Sequence, residues 1–215
     1  MRRLVGTLVS AGAGYAIGTL PSADIVTRIA TGGQMNIRDE GTGNPGAANV
    51  AGVLGKKWGA VVMVADVAKG FVGARVGRRL AGRPGLHAGG PGAVAGHCFP
   101  LWESFEGGKG VATSGGQVLA TFPLYFPIDI AVGFVATRLP IFQRQAFAAT
   151  ELATATWVLL STVWWRKKLP NPGGVEPSVG LPLAAIATGA IIRYRFTQTN
   201  ARVDDWREQQ AEAEA

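Results

Sequence analysis

Uncharged apolar runs alternate with short gaps of glycine, proline and basic residues along most of the chain. Residues 4–20 carry no charge, and the apolar character continues past Pro21. This predicts a first helix over about 4–30, with Pro21 as a kink of the kind a membrane bundle tolerates. Arg2 and Arg3 give the run the look of a secretory signal, but no cleavage pattern follows it. A second run, 58–76, carries Asp66 and Lys69. Three residues apart, they share one helical face. Charges inside a spanning segment face the bundle interior or its wet end, so a structural ion pair and a site role are both open. Residues 78–91, rich in Arg, Gly and Pro, read as a loop. Residues 92–99 are too few to span alone and read as a broken or re-entrant helix that carries His97. Further spans are expected at 111–126 and 128–139, with Pro123 and Pro127 breaking the register. Another, at 147–165, ends in Trp164, Trp165 and three cations, as interfacial helix ends do. A turn-rich stretch, 170–182, leads to a last helix over 183–193. The polar, acidic end reads as a solvated or frayed helix. The pattern as a whole predicts an all-α, polytopic membrane bundle of about seven helices with short re-entrant or broken segments. It has one domain over 1–202 and a polar tail over 203–215.

Composition supports this reading. Of 215 residues, 47% are hydrophobic, 16% are charged and 31 are glycine. Small residues let membrane helices approach closely. The net charge of +7 would suggest nucleic acid in a soluble protein. Here the cations fall in the gaps between apolar runs, at Lys56-Lys57, 75–83, 166–168, Arg193 and Arg195. That placement fits loop charge at a membrane, with some cations meeting phosphates or anionic headgroups. Arg2 and Arg3 favour a cytoplasmic N-terminus, whereas the larger loop charge favours the opposite orientation. Cys98 is the single cysteine, so no intrachain disulfide can form. With His87 and His97 as the two histidines and no carboxylate cluster in the sequence, neither a metal site nor a cofactor is expected.

Two glycine-rich segments carry the chemistry. The first is Gly41-Thr42-Gly43-Asn44-Pro45-Gly46-Ala47-Ala48-Asn49, and the second runs from Gly107-Gly108-Lys109-Gly110 to Thr113. Backbone N–H groups of such turns can converge on an anion, and a following helix N-terminus adds its dipole. Thr42 and Asn44 add donors to the first, and Lys109 adds a cation to the second. An ordinary Asn-Pro-Gly turn is the plainer alternative for the first. The second is no triphosphate-binding P-loop, because Gly110 stands where Ser or Thr must follow the lysine. His97, twelve residues before Lys109, can serve as a base or bond a loop carbonyl. His87 reads as solvated.

These segments resemble the bacterial membrane glycerol-3-phosphate acyltransferases that use acyl phosphate, the PlsY family. The first motif resembles G-S-G-N-x-G-A-T-N, and Leu54-Gly55-Lys56-Lys57 and Asp66-Val67-Ala68-Lys69-Gly70 also look like the family. Gly96-His97-Cys98-Phe99-Pro100 followed by residues 107–113 resembles its second motif. The resemblance covers about 10–120 closely and the rest by helix pattern. It implies transfer of a fatty acyl group from acyl phosphate to the 1-hydroxyl of glycerol 3-phosphate, giving lysophosphatidic acid and phosphate. It implies no metal and no cofactor. The setting would be the bacterial inner membrane, with the site toward the cytoplasm, membrane lipid around it and partner enzymes of phospholipid synthesis. It places His97 and Lys109 in the catalytic machinery. Thr42, Gly43, Asn44, Gly46, Asn49, Lys56, Gly107, Gly108, Gly110 and Thr113 fall at substrate-binding positions, with Asp66, Lys69, Arg193 and Arg195 in support. Departures are Thr42 for serine, Ala48 for threonine, Gly52 for arginine and Glu106 for lysine. A third motif, H-R-x-N-I-like, is not readable in 192–200. The divergence leaves two other readings: a non-catalytic relative that binds lipid phosphate or a partner enzyme, and a small anion transporter.

Overall fold

The computed structural model describes residues 1–136, 138–139 and 146–213, with side chains as far as residue 199. The described residues form eight α-helices: α1 (Arg2–Gly18), α2 (Ser22–Thr31), α3 (Ala47–Leu54), α4 (Lys56–Cys98), α5 (Val111–Thr121), α6 (Phe126–Ala136), α7 (Ala146–Lys167) and α8 (Gly180–Ala213). Arg2–Thr31 taken together and Ala146–Lys167 are each long and apolar enough to cross a membrane. Apolar side chains cover the outside of the bundle, among them Leu8, Val9, Val64, Phe134 and Leu159.

Local chemistry explains where the helices stop. The first segment is broken at Pro21, not kinked as its apolar pattern predicts. Proline drives the residue before it out of the helical region and brings no N–H. The larger correction concerns 78–91, which is helix and not loop. α4 runs through it and changes direction only at Ala81 and Gly82, where φ is −142° and +64°. Its two arms, 56–80 and 83–98, pack as a hairpin. Pro84 falls in the first turn of the second arm, where a missing N–H costs little. The expected re-entrant piece at 92–99 is therefore the end of a longer helix. The run 111–126 breaks after Thr121, and α6 ends at Ala136. Residue 137 of the expected span 128–139 lies outside the described residues. The last helix is much longer than the expected 183–193, continuing to Ala213. Residues 214–215, and the side chains of 203–213, lie outside the described residues.

Small residues set the packing at the centre. α1 lies parallel to the second arm of α4, with Gly6 against Ala81, Ser10 against Gly85, Gly14 against Gly89 and Gly18 against Ala93. The two arms of α4 meet through Gly77–Gly85 and Gly73–Gly89, and α5 meets α4 through Gly70–Thr113 and Gly116–Val67. A Cβ at Gly14 would overlap the Gly89 carbonyl, whereas one at Gly12 would meet open space. Gly14→Ala is therefore expected to lower stability by about 1–3 kcal/mol. Gly12→Ala should be neutral. Thermal unfolding of both variants in detergent checks this.

Because α1 and the second arm run the same way, the bundle has two distinct ends. One holds Arg2, Arg3 and the α4 turn with its arginines over 75–83, so this group of loop cations lies on the side of Arg2 and Arg3 and not opposite them. The loop before α8 joins that end, through an Arg83–Glu176 ion pair of 2.6 Å and an Asn171 Nδ2 bond to the Thr121 carbonyl at 2.9 Å. The other end holds the residues between α1 and α4, the residues between α4 and α5, and the middle of α8. Both glycine-rich motifs are there.

Candidate active site

At the motif-bearing end the chain closes around a small cleft. Its walls include Pro21–Asp24 at the start of α2, Arg38 and Pro45 before α3, Lys69 and His97 on α4, and Pro100, Glu103, Gly107 and Gly108 after it. α2 and α3 begin here without a side-chain cap, as does α5 nearby. The first N–H groups of an uncapped helix are free to meet an anion.

The floor is a buried polar network. Ser22 Oγ donates to Asp66 Oδ1 at 2.5 Å, and Lys69 Nζ donates to both Asp66 Oδ1 and Ser22 Oγ at 2.8 Å. His97 Nδ1 lies 3.5 Å from the same carboxylate oxygen, longer than an ordinary hydrogen bond. Asp66 and Lys69 are 2% and 6% exposed, so each charge depends on the other for compensation. The two form a buried ion pair, and its lysine also lines the cleft. The other edge of His97 faces the chain at Gly108, where a Cβ would collide with Nε2. His87, expected in solvent, is instead half-buried against Gly180 with both ring nitrogens shielded, because 78–91 is helical.

The first motif is shaped from within. Asn49 Oδ1 accepts from the Thr42 N–H at 2.8 Å, while Nδ2 donates to the carbonyls of Glu40 at 2.9 Å and Ile37 at 3.3 Å. Its amide is committed to the loop, which makes it a brace in this structure. Gly41 and Gly43 take φ of +60° and +66°, a region that disfavours side chains. Thr42 is exposed, Gly43 and Asn44 partly so, and Gly46 is buried. The second motif lies against the first, since a Cβ on Gly108 would also approach the Pro45 carbonyl. Gly107 and Gly108 donate to the carbonyls of Cys98 and His97 at 3.0 and 3.1 Å. Gly110, at φ +83°, packs on Cys98 and starts α5.

Arg38, which no motif in the sequence singles out, links the residues flanking the two motifs. Its guanidinium bonds both Asp24 oxygens at 3.0 and 3.2 Å, donates to the Glu106 carbonyl at 2.5 Å, and lies 3.3 Å from Glu103. Ser22 and Asp24 were likewise missed. The available signal was a lone cation just before the first glycine motif, and polar residues directly after Pro21.

The remaining candidates divide. Arg195 of α8 is 4% exposed and donates to the Gly107 carbonyl at 2.6 Å, so this part of α8 reaches the second glycine motif. Arg193 does not, and pairs with Glu151 at 3.1 Å on the exposed side of α8. Lys109 is half-buried, with Nζ 4.7 Å from the centre of the Phe196 ring and outside the cleft lining. Burial, and then the Arg195 charge, push its pKa below the ordinary lysine value. Thr113 is fully buried on α5, where its carbonyl meets Gly70 of α4, and Lys56 is exposed at the start of α4.

A helical bundle with cations and open helix N-termini around one cleft is suited to an enzyme of phosphorylated substrates at a membrane. The family model described as glycerol-3-phosphate acyltransferase matches residues 8–203. A glycerol-3-phosphate acyltransferase of Thermoanaerobacter pseudethanolicus is 36% identical over 151 residues, 70% of this chain and 74% of the relative. One of Allorhizobium ampelinum is 30% identical, covering 94% and 88%. The crystal structure of PlsY (YgiH), an integral membrane glycerol 3-phosphate acyltransferase, in its glycerol 3-phosphate form aligns with a TM-score of 0.70. It is 29% identical, covering 95% of this chain and 93% of that one. The chain belongs to the glycerol-3-phosphate acyltransferase family.

Proposed function

We propose that this integral membrane glycerol-3-phosphate acyltransferase takes its acyl group from an acyl phosphate and passes it to the 1-hydroxyl of glycerol 3-phosphate. The C–O bond to the donor phosphate breaks as the bond to the hydroxyl oxygen forms. Lysophosphatidic acid and inorganic phosphate are the products. The supporting observation is that both glycine motifs, Arg38 and Lys69 meet at one cleft that uncapped helices point toward. Two phosphates in one reaction need pre-set donors, and here carboxylates hold both cations of the cleft in place, Asp24 and Glu103 for Arg38 and Asp66 for Lys69. An acyl phosphate is already activated, so positioning and charge neutralisation supply most of the remaining catalysis.

In this reading the Gly41–Gly46 turn and Arg38 seat one phosphate. The Gly107–Gly110 turn seats the other, with Lys109 swinging from Phe196 to neutralise it. His97 Nε2 orients the acceptor hydroxyl and takes its proton as a weak base. Asn49, Asp66 and Arg195 hold these groups in place. Glycerol 3-phosphate is a charged metabolite that does not cross a bilayer unaided. The cleft therefore faces the cytoplasm of the bacterial inner membrane, and the Arg2 end faces outward.

Purified protein in lipid should release phosphate from palmitoyl phosphate only when glycerol 3-phosphate is present. Lys109→Ala should cut turnover by about 100-fold, as the loss of a transition-state charge partner does. Turnover needs the charged amine, so it should fall as pH rises through the lowered Lys109 pKa. Lys109→Arg should move that alkaline limb upward. No phosphate release from folded protein would point instead to a relative that binds lipid phosphate without turnover.

A further inference from the structure

A concavity of about 440 Å³ opens at the end of the bundle away from the cleft, lined by Arg75, Arg78 and Arg79. The three arginines stand at helical spacing in the last turns of the first arm of α4, just before the break at Ala81. Helix carbonyl ends favour cations, but like charges at this spacing repel one another. Among the described residues, no carboxylate pairs with these three arginines. Glu176, the acid of the adjoining loop, is bonded to Arg83 at 2.6 Å. Arg75 contacts the Phe71 ring at 5.7 Å. Arg2 and Arg3 come to the same end, because α1 packs parallel to the second arm with Gly6 beside Ala81.

The surface around this cluster is largely apolar. Phe71, Val72 and Leu80 on α4, and Leu4, Val5 and Leu8 on α1, are all exposed. The concavity therefore sits where a surface suited to lipid tails gives way to a charged one. We propose that Arg75, Arg78 and Arg79 form a binding site for the headgroup phosphate of an anionic phospholipid, separate from the catalytic cleft. Its tails would lie along the apolar faces of α1 and α4, and its phosphate would relieve the repulsion among the guanidinium groups.

The test is lipid retention by the purified full chain, read by native mass spectrometry. Phosphatidylglycerol and phosphatidylcholine of matched chains are offered separately, with thermal unfolding in detergent as the fold control. The wild type should retain phosphatidylglycerol in preference, and R75Q/R78Q/R79Q should weaken that retention by about tenfold or more. Should the triple variant fail to fold, Arg78→Glu alone reverses one exposed charge and should also weaken retention. Lys109→Ala should leave it unchanged, which separates this site from the cleft. Equal retention of both lipids, or undiminished phosphatidylglycerol on a folded variant, overturns the proposal. Displacement by millimolar inorganic phosphate overturns the lipid assignment. None of these outcomes depends on turnover.

Discussion

Asp66→Asn is expected to cost both stability and activity, because one carboxylate compensates everything on the floor of the cleft. Its Oδ1 accepts from Ser22 and Lys69 and lies 3.5 Å from His97. Asparagine keeps the shape but leaves the buried Lys69 ammonium without a counter-charge. Removing one partner of a buried pair typically costs about 3–5 kcal/mol. The unfolding temperature in detergent should fall accordingly. Turnover should fall by about 100-fold or more, since losing the anchor for Lys69 and His97 misplaces both. The double variant Asp66→Asn/Lys69→Met separates the two effects. It removes both charges and should recover most of the stability without recovering turnover. A double variant as unstable as the single one would show that the ion pair is not what Asp66 contributes.

The second large effect is expected from Asn49→Ala. This side chain lies seven residues beyond the Thr42 N–H that it receives, and also bonds the Ile37 and Glu40 carbonyls. Alanine removes all three bonds. The Ile37 side lies inside the protein, so stability should drop by about 1–3 kcal/mol, the cost of stranding a buried polar group. Thr42 and Glu40 are exposed, and water can replace their bonds, so the main loss there is loop shape. The Michaelis constant for one phosphate substrate should rise by about tenfold or more. The constant for the other should stay near the wild-type value, and which of them moves would assign the first motif to its ligand. Thr42→Ser, which keeps the hydroxyl, should leave both constants nearly unchanged. Equal changes in both constants would mean that the turn does not serve a single phosphate.

Much of the fold was legible because helix formation in an apolar setting is a local property. The charge-free run beginning at Leu4 and the span closed by Trp164 and Trp165 carry their own signals. The misreading of 78–91 shows where that ends. Arginine, glycine and proline there resemble a loop by composition, yet their glycines are contact surfaces for α1 and for the facing arm of α4. A glycine that packs and a glycine that turns look alike in sequence. The break at Ala81–Gly82 was invisible for the same reason.

By itself the sequence determined the class of molecule, the approximate helices and the two glycine motifs, whose residues lie close enough along the chain for spacing to reveal them. The tertiary structure decided which side chains share a cleft. Ser22 meets Asp66 across 44 residues, Arg38 reaches Glu106 across 68, and Arg195 reaches Gly107 across 88. It also separated Arg193 from Arg195, two residues apart and on different faces of α8, so that one pairs outward with Glu151 and the other inward with the loop. Distant contacts depend on how whole helices cross, and those crossings are set by small residues whose pairing no local pattern records.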